Sequence, residues 1–386
     1  MKKIAFVATG YIRKYDGISV YTENLLQEFL NLHQQTNSDL NVDVYTGYDV
    51  LELLQERVET HENSSVRFIG VDDSSMLKKI TSLTKALYKN GKYDLIFMSN
   101  FMPTVFMPAK TVKVIHDFSV NLLPELYSKG YKIYHDLLLS YAKYFDGAIG
   151  YISETTKKDL NRFHGINDGN KKLVYMPNGI PFKVKNQTRP RVESIEEKFA
   201  KKELDFLVVG RINKHKGFDR ILDFCRYFDS SERIEKFEKV RLNIVGKQTA
   251  ETEAIFEALE LQNIEIIFHG FMDDDGLNNL YMSSHFCFFL SRNEGYGLPL
   301  IESMWLRCFP IVSNIDIFNE ILGKEIEKFD DKSGYGQAIE KHIMSLYDSK
   351  ECRDTQVQRL EDVIAHEKDG YLRNAQNLMH FIDKEV

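Results

Sequence analysis

Two glutamates lie eight positions apart in the stretch RNEGYGLPLIES, from Arg292 to Ser303. Glu294 and Glu302 enclose two glycines and a proline. Carboxylates accept hydrogen bonds from hydroxyl groups, and glycine lets backbone amides approach a ligand closely. Because the stretch follows an apolar run and continues as an apolar helical pattern, we expect Glu294 in a loop and Glu302 on a helix. A sugar phosphate would suit this arrangement, although Glu302 alone also fits an ordinary ion pair with a lysine.

A second group of candidate residues is cationic. The segment FLVVGRINKHKGFDRIL predicts a strand, a loop that contains Arg211 and Lys216, and a helix that opens after Gly217. Arginine holds a phosphate with two parallel N–H bonds, lysine acts as a point charge, and a helix amino terminus adds unpaired N–H groups. The group suits a diphosphate, and its spacing fits a solvated basic loop equally well.

The first half of the chain offers His116 and Gly17. The run KVIHD ends a predicted strand at His116, whose imidazole can donate to a developing charge or orient a hydroxyl. Gly17 is expected in a turn before a helix, where backbone amides can meet an anion or an acceptor. A structural histidine and a plain helix terminus are the alternative interpretations.

The sequence predicts no metal site and no cofactor. It has no HExxH or CxxC motif and no clustered His and Asp. Glycoside hydrolysis is disfavoured, because it needs two carboxylates facing each other across a sugar, and here both belong to one strand–loop–helix unit.

The elements that position these residues follow a repeating order. Short β-rich apolar runs alternate with helical patterns, which predicts α/β domains with doubly wound parallel sheets. A chain of 386 residues favours two domains, and a charged stretch with two prolines at 181–200 predicts the linker. We therefore expect domains at 1–185 and 186–369, facing a cleft between the carboxyl edges of their sheets.

Composition indicates an ordinary globular protein. Its net charge is -7, and no run of apolar residues is long enough for a membrane helix. Four cysteines without a CxxC pair favour a reducing, cytoplasmic setting. The basic amphipathic segment Leu77–Lys92 is expected to form a helix docked on the sheet, with contact to an anionic membrane as the alternative. No nucleic-acid partner is expected.

Taken together, these segments resemble the retaining glycosyltransferases of the GT-B fold, specifically glycosyltransferase family four. The resemblance covers nearly the whole chain, and its signature is the pair of glutamates separated by seven residues in SRNEGYGLPLIES. The other matching segments are DGISVYTENLL, VIHD, ISETTKKDL, MPNGI and VGRINKHKGFDRIL.

The resemblance implies a donor site in the second domain. Arg211 and Lys216 would neutralise the donor diphosphate in place of a metal ion, and Glu294 would bind hydroxyls of the donor sugar. The remaining donor residues would be Glu302 at the ribose, Phe271 or Met272 at the base, and the backbone amides of Tyr296, Gly297 and Leu298 at the sugar and phosphates.

The resemblance also implies roles for the first domain. His116 would reach the donor sugar and stabilise the reacting centre, and Gly17 would approach the phosphates or the acceptor. The final helix, 370–386, would cross back to this domain. Two segments depart from the family pattern. Asp16 stands in the place of the first of two paired glycines, and Arg307 and Cys308 stand where the family has glycine after the second glutamate.

The implied function is metal-independent hexosyl transfer with retention of configuration. The donor would be a UDP- or GDP-linked sugar, and the acceptor a glycan or lipid-linked glycan of a bacterial surface polysaccharide, such as lipopolysaccharide O-antigen or capsule. Peripheral contact with the inner face of the cytoplasmic membrane is a further expectation. A sugar-nucleotide epimerase, a phosphorylase and a non-catalytic glycan or nucleotide binder are the alternatives.

Overall fold

The protein forms two compact units. The computed structural model describes residues 1–12, 16–36, 38–60, 65–102, 104–247, 256, 259–330 and 334–386. The first unit comprises Met1–Pro181 and Asp369–Val386, and the second comprises Phe182–Lys368. The sequence placed the boundary slightly later, after residue 185, and assigned the last helix to the first domain.

The first unit contains a parallel sheet of seven strands in the order β3-β2-β1-β4-β5-β6-β7. Apolar residues of its central strands, such as Ile4 and Phe97, are fully buried. The strands are β1 (Lys2–Val7), β2 (Leu40–Gly47), β3 (Val66–Val71), β4 (Leu95–Met98), β5 (Lys110–Ile115), β6 (Ala148–Tyr151) and β7 (Leu173–Tyr175). The helices between them are α1 (Gly17–Gln35), α2 (Leu51–Arg57), α3 (Met76–Lys89), α4 (Ser119–Leu122), α5 (Lys129–Phe145) and α6 (Glu154–His164).

The second unit contains a parallel sheet of six strands in the order β10-β9-β8-β11-β12-β13. The strands are β8 (Glu203–Val209), β9 (Lys239–Val245), β10 (Ile264–Gly270), β11 (Phe286–Phe289), β12 (Phe309–Ser313) and β13 (Lys328–Phe329). The helices are α7 (Phe182–Lys185), α8 (Glu193–Phe199), α9 (Phe218–Asp229), α10 (Asp274–Ser283), α11 (Leu298–Trp305), α12 (Asp316–Leu322), α13 (Tyr335–Asp348) and α14 (Lys350–Glu367). Two parallel sheets with intervening helices confirm the predicted α/β class.

The last helix, α15 (Gly370–Glu385), packs on the first unit. The side-chain amide of Asn374 donates to the Pro177 carbonyl and to the Tyr21 hydroxyl, both at 2.9 Å. At Gly370, a Cβ atom would lie 1.8 Å from the Asn178 carbonyl oxygen. The entry of α15 therefore requires glycine at this position.

The stretch expected to be a linker is partly helical. Helix α8 buries Ile195 and Phe199, and the ammonium of Lys198 donates to the carbonyls of Ser284 at 2.6 Å and Arg307 at 3.1 Å. Charge and proline suggested an irregular segment, but three inward-facing side chains tie it to the second unit. The division between the two units falls at the start of this stretch, and both α7 and α8 belong to the second unit.

Helix α3 lies close to its predicted position, but only part of its apolar stripe is buried. Leu83 and Leu87 are fully buried, whereas Leu77 is 73% exposed. The expected docking therefore involves the second half of the helix, and the prediction that Leu77 packs on the sheet is wrong. In the described part of the chain, no helix is both long and apolar enough to span a membrane.

Candidate functional site

Glycines end three neighbouring strands at the carboxyl edge of the second sheet. Gly210, Gly246 and Gly270 follow or end β8, β9 and β10, with φ of 126°, 157° and 67°. The amide of Gly246 donates to the Gly270 carbonyl at 2.9 Å, and a Cβ atom on Gly246 would lie 2.0 Å from the Gly210 carbonyl oxygen. Because Gly210 and Gly246 approach each other without side chains, this edge of the sheet leaves room for a ligand next to β8.

The cationic loop after β8 is fastened to the end of β11. Gly217, with φ of 69°, caps α9, and a Cβ atom there would lie 1.8 Å from the Leu290 carbonyl oxygen. The amides of Gly217 and Phe218 donate to the carbonyls of Lys214 at 3.0 Å and Asn213 at 3.2 Å. The prediction that this helix terminus offers free N–H groups is therefore wrong for these two amides.

Arg292 joins the cationic loop to the glutamate loop. Its guanidinium donates two parallel hydrogen bonds of 2.7 Å to the carboxylate of Asp219, on α9, and a third to the Lys214 carbonyl. Its backbone amide donates to the His215 carbonyl at 2.9 Å. The two loops are therefore held in one arrangement. Sequence reasoning did not assign Arg292 a role, because its partner belongs to another element.

Lys216 and Glu294 form the centre of the site. The Lys216 ammonium donates to both carboxylate oxygens of Glu294, at 2.8 and 2.7 Å, and the Ser291 hydroxyl donates to one of them at 2.7 Å. The Lys216 side chain is 34% exposed and that of Glu294 is 13% exposed, so the pair is in reach of solvent and of a ligand. Ser291 was not predicted, and its burial beside a strand end gave no signal in the sequence.

A small cavity of about 30 Å³ lies beside this pair. It is lined by residues of β8, β11 and the two loops, among them Arg211, Lys216, Glu294 and Gly297. Arg211 is exposed, and its guanidinium makes no hydrogen bond or ion pair with any residue in the described part of the chain. Arg211 is therefore available to an anion, whereas Lys216 already neutralises Glu294.

Helix α11 begins at the same cavity. Gly297 caps it with φ of 96°, and Pro299 lies in its first turn. The amides of Gly297 and Leu298 donate to no residue among those the structure describes. An unpaired helix amino terminus attracts negative charge, so these two amides are suited to an anionic or hydroxyl-bearing ligand. The Tyr296 side chain instead points inward, and its hydroxyl donates to Glu367 on α14.

Glu302 is buried on α11 and lies outside the lining of the cavity. One carboxylate oxygen is 3.7 Å from the Lys183 ammonium, and the other accepts a hydrogen bond from the Tyr281 hydroxyl at 3.4 Å. Burial raises the pKa of Tyr281 well above its usual range, so this hydroxyl stays protonated as a donor. The ion pair with a lysine, the alternative foreseen for Glu302, is present in this structure.

Phe271 and Met272 follow β10 and also lie outside the lining of the cavity. Phe271 is 71% exposed and Met272 is half-buried. The second unit thus brings Arg211, Lys216, Glu294 and Gly297 together and leaves Phe271 as an open apolar surface.

In the first unit, His116 follows β5. Its Nε2 atom is 2.7 Å from the Ser99 carbonyl oxygen, and its ring stands at 89° to that of Tyr21. Since a carbonyl only accepts, Nε2 carries the proton. Burial lowers the pKa of His116, so the ring is neutral near pH 7 and its Nδ1 is an acceptor. The geometry therefore favours orienting a hydroxyl over donating to a developing charge.

Asn100 lies next to Ser99, at the end of β4, and sequence reasoning did not select it. Its buried Oδ1 has no hydrogen-bond partner in the described part of the chain. A Cβ atom on Gly10 would lie 2.8 Å from the Asn100 side-chain nitrogen, so the amide is packed against the loop after β1.

Gly17 is the first residue of α1, whereas the sequence predicted it in the turn before the helix. Asp16 is the N-cap, and its carboxylate accepts a hydrogen bond of 2.9 Å from the Ser19 amide. A Cβ atom on Gly17 would meet nothing within 4 Å, so the surface beside it is open. Asp16, which stands where the family often has glycine, therefore caps this helix. Arg13–Tyr15, in the basic loop before it, lie outside the described residues.

The unusual segment after Glu302 is also accounted for. Arg307 has φ of 60°, the left-handed conformation that glycine adopts most easily. Its guanidinium donates to the Pro190 carbonyl at 2.8 Å and to Glu361 at 2.6 Å. These bonds offset the backbone strain at the position where the family has glycine.

Comparison with known proteins shows which family the second unit resembles. Residues 191–363, just under half of the chain, match the family model described as "Glycosyl transferases group 1". The second unit is therefore similar to the group 1 glycosyl transferases. Together with the two parallel sheets, the similarity to solved glycosyltransferase structures shows that the chain has the GT-B fold.

Three proteins represent the similarities. An uncharacterized 41.2 kDa protein in the cps region of Klebsiella pneumoniae is 23% identical over 74% of this chain and 79% of its own. Serotype-specific mannosyltransferase WbdA of Escherichia coli is 24% identical over 59% of this chain, and the match spans 28% of the length of WbdA. The structure of Anabaena Alr3699/HepE with UDP and glucose has a TM-score of 0.71 at 15% identity, covering 99% of this chain and 100% of HepE.

Proposed function

We propose that this protein is a retaining glycosyltransferase that moves a hexose from a nucleotide-diphosphate sugar to a glycan acceptor, without a metal ion in the donor site. The observation that carries the proposal is the group formed by Arg211, Lys216 and Glu294 at the carboxyl edge of the second sheet. Two cations beside a hydroxyl acceptor match a ligand in which a diphosphate adjoins a sugar.

The cations would serve the leaving group. When the glycosidic bond breaks, negative charge grows on the diphosphate, and Arg211 and Lys216 would stabilise it from fixed positions. Arg211 is exposed and makes no hydrogen bond or ion pair with any described residue, so it can bind the diphosphate directly. Lys216 is already held by Glu294, so its position is set before the donor arrives.

Glu294 would bind a hydroxyl of the donor sugar. Its carboxylate accepts from Lys216 and Ser291 and retains acceptor capacity, since two oxygens offer about four lone-pair positions. The amides of Gly297 and Leu298 would hold the sugar or its phosphate from the helix terminus. Glu302 would bind the ribose hydroxyls, which requires its carboxylate to exchange the long Lys183 contact for the ligand.

The remaining assignments keep the predicted roles. Phe271 or Met272 would border the base, and in the first unit His116 and the open surface at Gly17 would serve sugar and acceptor groups. For retention, the leaving phosphate itself would take the proton of the acceptor hydroxyl, so no protein residue is assigned as general base.

The substrate class is supported by the similar proteins. HepE was solved with UDP and glucose, and WbdA is named a serotype-specific mannosyltransferase. With the cps-region protein, these names favour a hexose donor and a surface polysaccharide product, which includes the predicted O-antigen or capsule.

A screen of UDP-, GDP- and ADP-sugars by thermal unfolding tests the proposal. Binding to the native state raises the midpoint, by an amount that grows with ligand concentration over Kd. We expect one base to give a shift, with the Glu294→Ala variant retaining much of the shift for the free nucleoside diphosphate but losing the extra shift due to the sugar. If no nucleotide sugar stabilises the protein, the proposal is wrong.

We also propose peripheral contact with an anionic membrane through α3 and α5. Helix α3 exposes Met76, Leu77 and Tyr88 and carries four lysines and no acidic residue. Helix α5 exposes further large apolar side chains, namely Tyr131, Ile133, Tyr134, Leu137, Tyr144 and Phe145. Phe106 connects the two helices, because its carbonyl accepts from the Tyr88 hydroxyl at 3.0 Å and its amide donates to the Tyr141 hydroxyl at 2.7 Å.

Lysines around exposed aromatic and aliphatic side chains match a negatively charged lipid surface. Co-sedimentation with phosphatidylglycerol vesicles at low salt should retain the wild-type protein and release an Ile133→Glu/Leu137→Glu variant. Binding that is unchanged by both substitutions would exclude this surface. A change from dimer to monomer in light scattering would assign it to a second copy instead.

A further inference from the structure

Three side chains with metal-binding chemistry meet between α5 and α6 of the first unit. His135 and Asp136 lie on α5, and His164 is the last residue of α6. One ligand atom from each lies within 4.8 Å of the other two, and the distance from His164 Nε2 to the Asp136 carboxylate is 3.9 Å. Among the residues that the structure describes, no other three His, Asp, Glu or Cys side chains lie close enough together to bind one metal ion.

The polar atoms of this group lack partners. His135 Nδ1, Asp136 Oδ1 and His164 Nε2 are each buried without a hydrogen bond to any described residue. A buried polar atom without a hydrogen-bond partner destabilises the folded protein, so three in one place require an explanation. Both imidazole rings contact aromatic neighbours, His135 with Phe101 at 6.0 Å and His164 with Phe118 at 5.7 Å between centroids.

We propose that His135, Asp136 and His164 bind a divalent transition-metal ion of the zinc class. Two imidazoles and one carboxylate are ligands that Zn²⁺ accepts, whereas Mg²⁺ and Ca²⁺ prefer oxygen ligands throughout. Ligand atoms about 2.1 Å from a tetrahedral ion lie roughly 3.4 Å apart, so the distances between the ligand atoms must shorten by up to about 1.4 Å when the ion binds.

The surroundings agree with such a site. The Asp136 side chain is 49% exposed, which leaves an entry path and a position for water as fourth ligand.

A bound ion would join α5 to α6. The residues assigned to the diphosphate, Arg211 and Lys216, belong to the second unit, whereas His116, assigned to the donor sugar, lies in the first unit with the three proposed ligands. This site was not predictable from the sequence, since an adjacent His–Asp pair and a distant histidine match no metal-binding spacing.

Cobalt and zinc titrations of the full chain test the proposal. The exposed Cys352 should be replaced by serine in every sample to remove a competing thiol, and the protein should be freed of metal with EDTA. Co²⁺ absorption and Zn²⁺ calorimetry are expected to saturate at one equivalent per chain at micromolar concentrations. Zn²⁺, but not Mg²⁺, should raise the midpoint of thermal unfolding.

Variants assign the ligands. His164→Gln and Asp136→Asn should each weaken Zn²⁺ binding at least tenfold, and His135→Gln/His164→Gln should abolish it. His380→Gln, which changes an exposed histidine of the same unit, should bind as the starting protein does. No saturable binding by the starting protein, or equal binding by the double variant, would overturn the site. If the histidine variants do not fold, Asp136→Asn decides, because this half-exposed side chain is replaced by one of equal size.

Discussion

Removing either cation of the candidate site should weaken diphosphate binding, but by different amounts. Arg211 makes no hydrogen bond or ion pair with any described residue, so the polar interaction that Arg211→Met removes is the one with the ligand. A hydrogen bond to a charged group contributes about 1.5–3 kcal/mol, which corresponds to roughly a 10- to 150-fold increase in Kd for UDP or GDP.

Lys216→Met should raise the Kd more than Arg211→Met does, because it also leaves the negative charge of Glu294 without its partner. Its ammonium lies 2.7 Å from the Glu294 carboxylate, a separation worth about 1.5 kcal/mol in the dielectric of water. The pair is partly exposed, so we expect a coupling of about 1–2 kcal/mol. The unpaired carboxylate would then oppose the diphosphate, which adds about a 5- to 30-fold loss to the lost contact.

A second substitution separates the two effects. Glu294→Gln in the Lys216→Met background removes the repelling carboxylate, so calorimetry with UDP and GDP should show binding of the nucleotide partly restored over that of Lys216→Met alone. Lys214→Met serves as the matched control, because this exposed lysine of the same loop does not line the cavity, and its Kd should change less than about twofold. Unchanged binding by Lys216→Met, or weaker binding by the double variant, would refute the reasoning.

Two further predictions concern the stability of the second unit, which the sole tryptophan, Trp305, reports by fluorescence. Gly217→Ala should lower its free energy of unfolding by about 2 kcal/mol more than Gly334→Ala, because both glycines are left-handed helix N-caps but only Gly217 has a carbonyl oxygen at 1.8 Å from the new Cβ. Equal losses would show that the contact relaxes at no cost. Burial lowers the pKa of His285 to about 3, so between pH 6.5 and 3 the unfolded chain binds a proton that the folded chain does not. Stability in urea should therefore fall as pH drops through this window, and His285→Gln should flatten this slope; an unchanged slope would contradict the assignment.

The fold class followed from the sequence because it depends on a repeated pattern. Alternating β-rich runs and helical segments specify parallel sheets whichever residues fill them. Elements that depend on packing were harder to predict. β13 has two residues, and α8 is charged along its exposed side while Ile195 and Phe199 face inward.

The centre of the site was predictable for a different reason. Arg211, Lys216 and Glu294 follow predicted strands, and strand ends of a parallel sheet meet at one edge. Their partners were not predictable, because Ser291 and Arg292 have roles only through contacts with other elements. The same limit applied to Arg307, whose left-handed conformation is stabilised by Glu361, more than fifty residues later in the chain.

The central claim is tested most directly by following a nucleotide sugar by NMR in the presence of the protein. The donor that gives the largest thermal shift should be split slowly into nucleoside diphosphate and free sugar, with the anomer of the donor configuration appearing first. Glu294→Ala should stay folded and release neither product. Absence of cleavage by the wild type with every donor that binds, or an equal rate with Glu294→Ala, would contradict the account.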